Sequence, residues 1–215
     1  MPVSQKLTNV VVLSAVDDSP QSAISHYSFL ADLFQGNFGF DQDLFGWDSA
    51  SVTTMAFMFD GASSFTGQGI NNWDVSSVAD FQDAFKSATS FNPSLSGWVV
   101  ASATNMNFMF YAATSFTGSG LSGWNVGNTR SLFGTFNGAS QFTEDISLWD
   151  ISSVTDFALV LSSASAFNID LCSWGTKITN TGASTSGAFV DSGCNDPSDP
   201  NLLVNPKGPF CHACP

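Results

Sequence analysis

The sequence predicts a repeat solenoid of about five 25–26-residue coils, with short parallel β-strands along one side and short helices or helical turns on the return side. Three observations carry this. Trp47, Trp73, Trp98, Trp124, Trp149 and Trp174 are spaced 26, 25, 26, 25 and 25 residues apart. Phe65, Phe91, Phe116, Phe142 and Phe167 each follow a Trp by eighteen residues. Between these anchors the apolar spacing changes from two to three and four, which is the change from strand to helix. A coil this short cannot bury an apolar face alone, so consecutive coils must stack and share one core.

The strand is read from Leu95-x-x-Trp98-x-Val100 and Ile146-x-x-Trp149-x-Ile151, where residues two apart share one face of an extended chain. The return side is read from Val78, Phe81 and Phe85, or Val154, Phe157 and Leu161, which recur at three and four and would form one stripe of a helical turn. Ser76-Ser77 and Ser152-Ser153 precede these stripes as candidate N-caps. Ala62, Ala88, Ala113, Ala139 and Ala164 fall fifteen residues after Trp, where a small side chain lets coils approach. The longer copies carry a glycine-rich insertion, Thr66-Gly67-Gln68-Gly69 and Thr117-Gly118-Ser119-Gly120, which reads as a loop. The 21 Phe residues are expected to form ladders, ring upon ring through the stack. The Trp residues share a face with Val75, Val100, Val126 and Ile151, so they read as core rather than as an exposed sugar platform.

This pattern divides the chain into a degenerate N-terminal capping repeat at 1–37, the array at 38–175, and a cysteine-containing C-terminal cap with a Pro-rich tail at 176–215. Residues 10–16 read as a first strand, because the apolar run is short for a signal peptide and no small-residue cleavage site follows. In the last part five of the eight prolines lie at or beyond Pro197, and Phe189 is expected to restore one core contact. A net charge of −13 from 18 acids and five Lys or Arg residues leaves no basic patch for phosphates, so nucleic acid is excluded as a partner. No stretch reaches the roughly 18–20 apolar residues of a membrane span, and a monomer is expected.

The segments Trp73-Asp74-Val75-Ser76-Ser77-Val78, Phe40-Asp41-Gln42-Asp43-Leu44-Phe45-Gly46-Trp47-Asp48 and Met106-Asn107-Phe108-Met109-Phe110-Tyr111-Ala112-Ala113 resemble the repeat of BspA-like leucine-rich-repeat surface proteins, a mycoplasma-lipoprotein-type domain of unknown function. The resemblance spans about residues 38–175. It implies a leucine-rich-repeat-like solenoid on cell surfaces, an adhesion role and no known chemistry. Val99 stands where the pattern has Asp, and Leu161 where it has Phe.

The residues offer little for catalysis. His26 and His212 are the neutral-pH bases, and both fall outside the repeats. Asp41/Asp43 and Glu144/Asp145 could do acid–base work, but such pairs on repeat loops usually serve solubility. The glycine-rich loops lack a P-loop lysine, and no nucleophile elbow occurs. No enzyme activity, cofactor or metal is therefore expected. Cys172, Cys194, Cys211 and Cys214 all lie in the last 44 residues, which reads as two disulfides stapling a cap in an oxidising, extracellular or cell-surface setting. The proposed pairs are Cys172–Cys194 and Cys211–Cys214. A four-thiolate zinc site and a redox C-x-x-C at Cys211-His212-Ala213-Cys214 are the rival readings.

The expected function is a non-catalytic module for adhesion or for recognising a protein or glycan, with a purely structural surface spacer as the alternative. The residue between Trp and the next aliphatic should point outward, which places Asp48, Asp74, Asn125 and Asp150 in one column as the candidate binding face, interrupted by Val99. A divalent cation bridging Asp48 and Asp74 is less expected than solvated carboxylates, because the column is broken.

Overall fold

The computed structural model describes residues 30–215; the run at 10–16, most of the N-terminal cap and His26 lie outside the described residues. The predicted solenoid of strands and helices is not what the chain builds. Among the described residues there is no sheet and no strand longer than a single-residue bridge. Helix is confined to two 3-10 turns, Ile70–Asn72 and Leu121–Gly123, and to one short helix, α1, at Cys172–Lys177. The two 3-10 turns sit in the two copies that carry the glycine insertion. Coils of turns and extended chain do stack, but by other means.

The segment read as helix is a ribbon of overlapping turns. In the first full coil Met58, Asp60 and Ala62 donate their N–H groups to the carbonyls of Met55, Phe57 and Phe59, three residues back, at 3.0–3.2 Å. The alternate donors Met55, Phe57, Phe59 and Gly61 leave the coil and bond the carbonyls of Asp80, Gln82, Ala84 and Lys86 in the next one, at 2.7–3.0 Å. Both sets of backbone groups are thus satisfied, as burial requires. The geometry demands a left-handed residue at every fourth position: Phe57 and Gly61, Asp83 and Ser87, Phe108 and Ala112, Gly134 and Gly138, Leu159 and Ser163. An α-helix cannot pass through such residues, so Ser76-Ser77 and Ser152-Ser153 cap nothing. The ribbon still buries Met55, Met58, Phe59 and Ala62, a spacing of three and four that sequence alone cannot tell from a helical stripe.

Coil-to-coil pairing of the β type is limited to the parallel bridges Thr54–Asp80–Asn105–Ser131–Asp156–Ser184. The left-handed residue three positions later turns the chain before a ladder can lengthen. These bridges begin the ribbon, on the opposite wall from the predicted strand.

That predicted strand is a turn followed by a short extended piece. The Trp98 N–H returns to the Leu95 carbonyl at 3.0 Å, and Trp47, Trp73, Trp124 and Trp149 do the same three residues back. Burial then alternates as expected, with Trp98 and Val100 inside and Val99 57% exposed. The Leu44 and Leu95 N–H groups bond the carbonyls of Gln68 and Ser119 in the next coil, and the recurring link between neighbours is the indole. Trp73, Trp98, Trp124, Trp149 and Trp174 donate Nε1–H to the carbonyls of Leu44, Ile70, Leu95, Leu121 and Ile146 in the preceding coil, at 2.8–3.4 Å. The buried polar group of each indole therefore has a partner.

Between the walls lie two phenylalanine ladders. Phe34, Phe59, Phe85, Phe110 and Phe136 stack at centroid distances of 5.3–5.7 Å. Phe65, Phe91, Phe116, Phe142 and Phe167 follow at 5.6–6.3 Å. Within each coil the two rings stack at 4.1–4.2 Å. The alanines fifteen residues after Trp are fully buried. Gly69 and Gly120 are left-handed, at φ +84° and +93°, and a Cβ there would lie 2.0 Å from the Phe45 N and 2.4 Å from the Ser96 N. Only glycine allows the inserted residue to cross the neighbouring backbone so closely.

The C-terminal segment closes the stack. The disulfides are Cys172–Cys214 and Cys194–Cys211, so the expected pairing is corrected. The reason is a chain reversal: Asp196 pairs antiparallel with Cys211, and the Phe210 carbonyl accepts the Leu171 N–H at 3.1 Å. This lays the Cys211–Cys214 turn between the two upstream cysteines instead of letting it close on itself. All four sulfurs are consumed, which removes the zinc and redox readings. Phe189 and Leu202 are buried against the last coil.

Candidate functional site

Asp48, Asp74, Val99, Asn125 and Asp150 are all exposed and follow a core Trp in successive coils. Four of them share a local task. A side-chain Oδ1 of Asp48, Asp74, Asn125 and Asp150 accepts the backbone N–H two residues on, from Ala50, Ser76, Gly127 and Ser152, at 3.0–3.2 Å. These are Asx turns, which bend the chain from the Trp wall toward the ribbon. Hydrogen bonds from the Ser76 hydroxyl and N–H hold the Asp74 carboxyl below its usual range. Ser152 does the same for Asp150, with a smaller contribution from the Lys177 charge. Each of the four side chains thus has one oxygen engaged by its own turn.

The other singled-out carboxylates do not cooperate. Asp41 accepts from the Thr66 N–H and hydroxyl at 2.9 and 2.8 Å, while Asp43 accepts the Phe45 N–H. Glu144 accepts the Ser122 N–H across a coil, and Asp145 the Ser147 N–H. Each pair is divided between separate backbone contacts. His212 Nε2 lies 3.4 Å from the Asn168 carbonyl.

Three features escaped the sequence reading. An outer hydroxyl column joins the coils: Ser63, Thr89, Thr114, Ser140 and Ser165 each donate to the carbonyl of the equivalent residue one coil earlier, at 3.2–3.5 Å. Half-buried Phe108, Tyr111 and Phe133 form an edge-to-face cluster on the outside of the ribbon, at 4.7 and 5.6 Å. Asp83 is buried, and its carboxylate faces the Lys86 ammonium at 3.1 Å. The signal for the aromatics was available, because all three fall off the ladder positions at eight, twelve and eighteen residues after Trp.

A family model described as Mycoplasma protein of unknown function, DUF285, matches residues 28–133 and, in a second overlapping placement, residues 104–189. The chain belongs to the DUF285 family. No curated protein and no solved structure matches it. The DUF285 matches span the coils that carry the Trp and Phe ladders, include Cys172 and end at residue 189, ahead of Cys194. Four members of the candidate face, Asp48, Asp74, Asn125 and Asp150, lie within the DUF285 region, whereas Cys194, Cys211 and Cys214 lie beyond it. No helix among the described residues is long and apolar enough to cross a membrane.

Proposed function

We propose that this DUF285 chain is a non-catalytic recognition module of the cell surface or extracellular space, contacting a protein or glycan through the column that follows the tryptophans. The observation that carries the reading is the column itself, with Asp48, Asp74, Asn125 and Asp150 exposed on a stack whose rings and alanines are fully packed. Rigid, repeated, individually weak contacts suit a multivalent surface. The two disulfides support an oxidising compartment, and the likeness of Trp73-Asp74-Val75-Ser76-Ser77-Val78 to the BspA-like surface repeat supports adhesion.

The spacer reading is favoured by one fact: the column's oxygens already serve their own turns. The test must therefore remove charge without removing the turn acceptor. In the triple variant Asp48→Asn, Asp74→Asn, Asp150→Asn each side chain keeps an oxygen for its Asx turn, so the stack should unfold at nearly the wild-type urea concentration. Retention of the purified chain on immobilised surface proteins and glycans should drop about tenfold or more. Equal retention of wild type and variant would remove this face from the contact, and no retention of either would favour the spacer.

A further inference from the structure

Phe108, Tyr111 and Phe133 lie outside the core, half-buried on the outer side of the ribbon in two neighbouring coils. Phe133 and Tyr111 meet Phe108 at centroid distances of 4.7 and 5.6 Å and interplanar angles of 72° and 84°. The Phe108 ring rests on Gly134, where a Cβ would come within 2.5 Å of it. The three rings thus form one fixed ledge. The stack does not require them: Gly134 stands at the place of Phe108 in the next copy, Asn137 at that of Tyr111, and Ala56 and Ala158 at that of Phe133. Phe108 is also left-handed, at φ +55°, a conformation that disfavours a bulky side chain and suits glycine. A large ring kept half-exposed at a strained position is a feature of contact surfaces.

The charge around the ledge selects its occupant. Between Lys86 and Glu144 the one charged residue is Arg130, although the chain carries 18 acids and a net charge of −13. The two coils of the ledge therefore hold no carboxylate. At their borders Asp83 is buried against the Lys86 ammonium at 3.1 Å, and Asp156 Oδ1 accepts the Ala158 N–H at 3.0 Å. The rim is amide and hydroxyl. Asn107 Oδ1 is held by the Ser131 hydroxyl, which leaves its Nδ2 as a donor, and the Asn137 amide and the Tyr111 hydroxyl stand beside the rings, half-buried. An acidic chain would need a row of cations here, and a basic protein would find its carboxylates on other faces. Rings with uncharged donors and acceptors beside them match the C–H faces and hydroxyls of a neutral sugar chain.

We propose that the ledge of Phe108, Tyr111 and Phe133 binds a neutral glycan chain, with a sugar face packed on the rings and its hydroxyls bonded by Asn107, Asn137 and Tyr111. The site lies on the ribbon wall and does not rest on the column that follows the tryptophans. It supplies the aromatic anchor which that column lacks.

Native electrophoresis of the intact oxidised chain through gels containing a soluble β-glucan, α-mannan or galactan tests this, with alginate as the acidic comparison. At least one neutral polymer should retard the wild type, and alginate should retard it less. The variant Phe108→Gly, Tyr111→Asn, Phe133→Ala carries at each position the residue of another copy of the repeat, so it should fold, as urea unfolding will show. Its apparent affinity for the retarding polymer should fall about tenfold or more. If that variant does not fold, Tyr111→Asn alone is read in its place, with the same two outcomes. The variant Asp48→Asn, Asp74→Asn, Asp150→Asn should be retarded like the wild type, which separates this site from the polar column. Three results overturn the proposal: a wild type that no neutral polymer retards at its highest soluble concentration, stronger retardation by alginate than by any neutral polymer, or a folded ledge variant retarded as much as the wild type.

Discussion

The two walls of each coil are joined to their neighbours by different chemistry. On the ribbon wall the backbone does it: four N–H groups per coil cross to the next carbonyls, whatever side chains are present. That indifference explains how Phe57, Asp83, Phe108, Gly134 and Leu159 can occupy one position. On the Trp wall a side chain contributes as well, through the indole N–H of Trp73, Trp98, Trp124, Trp149 and Trp174, and Trp recurs in all six copies. On the ribbon, sequence drifts only where the side chain lies off the core, as at Phe57, Asp83, Phe108, Gly134 and Leu159; at Phe59, Phe85, Phe110 and Phe136 the same backbone bonds are made, and burial keeps the residue constant.

The largest expected effect belongs to the core that both walls share. Phe116→Ala removes a fully buried ring packed on Phe91, Phe110 and Phe142 and should cost about 3–5 kcal/mol in urea unfolding; a loss under about 1 kcal/mol would mean the ladder does not hold the walls together. Next is the inserted glycine. Gly120→Ala drives a Cβ to 2.4 Å from the Ser96 N at a left-handed φ and should cost about 1–3 kcal/mol, whereas Gly123→Ala, with nothing within 4 Å, should stay within about 0.5 kcal/mol. Equal effects of the two would remove close coil approach as the reason for the glycine.

The side-chain link of the Trp wall is tested by Trp124→Phe. It removes the donor to the Leu95 carbonyl, which keeps its bond from the Trp98 N–H, so the expected loss is about 1–2 kcal/mol. The corresponding ring change at Phe110→Leu, where no hydrogen bond is involved, gives the packing contribution to subtract. The smallest effect is the most discriminating for the ribbon wall. Ala112 is left-handed, so Ala112→Gly should be neutral or stabilising by up to about 1 kcal/mol. In a helix the same change would cost about 1 kcal/mol, and a loss of that size would restore the helical reading.

The candidate face was legible because burial alternates across three residues, which puts Asp74 outside between Trp73 and Val75. Its local role was not, since an Asx turn depends on a φ/ψ path that composition does not reveal. The same holds for Asp41 and Glu144, which look like halves of carboxylate pairs and instead bond the backbone of another coil.

From residue types and spacing alone came the period, the buried indoles, the two ring ladders, the small residue between coils and the presence of two disulfides. These depend on side-chain size and chemistry, which the sequence states directly. Tertiary structure alone decided three things: that a spacing of three and four is a turn ribbon and not a helix, that the Trp segment pairs through its indole and not as a strand, and that Cys172 meets Cys214 while Cys194 meets Cys211. In each case the deciding partner lies in another coil or in the returning tail. A spacing within one coil is compatible with more than one backbone path, and only the hydrogen bonds made to the neighbouring coil select among them.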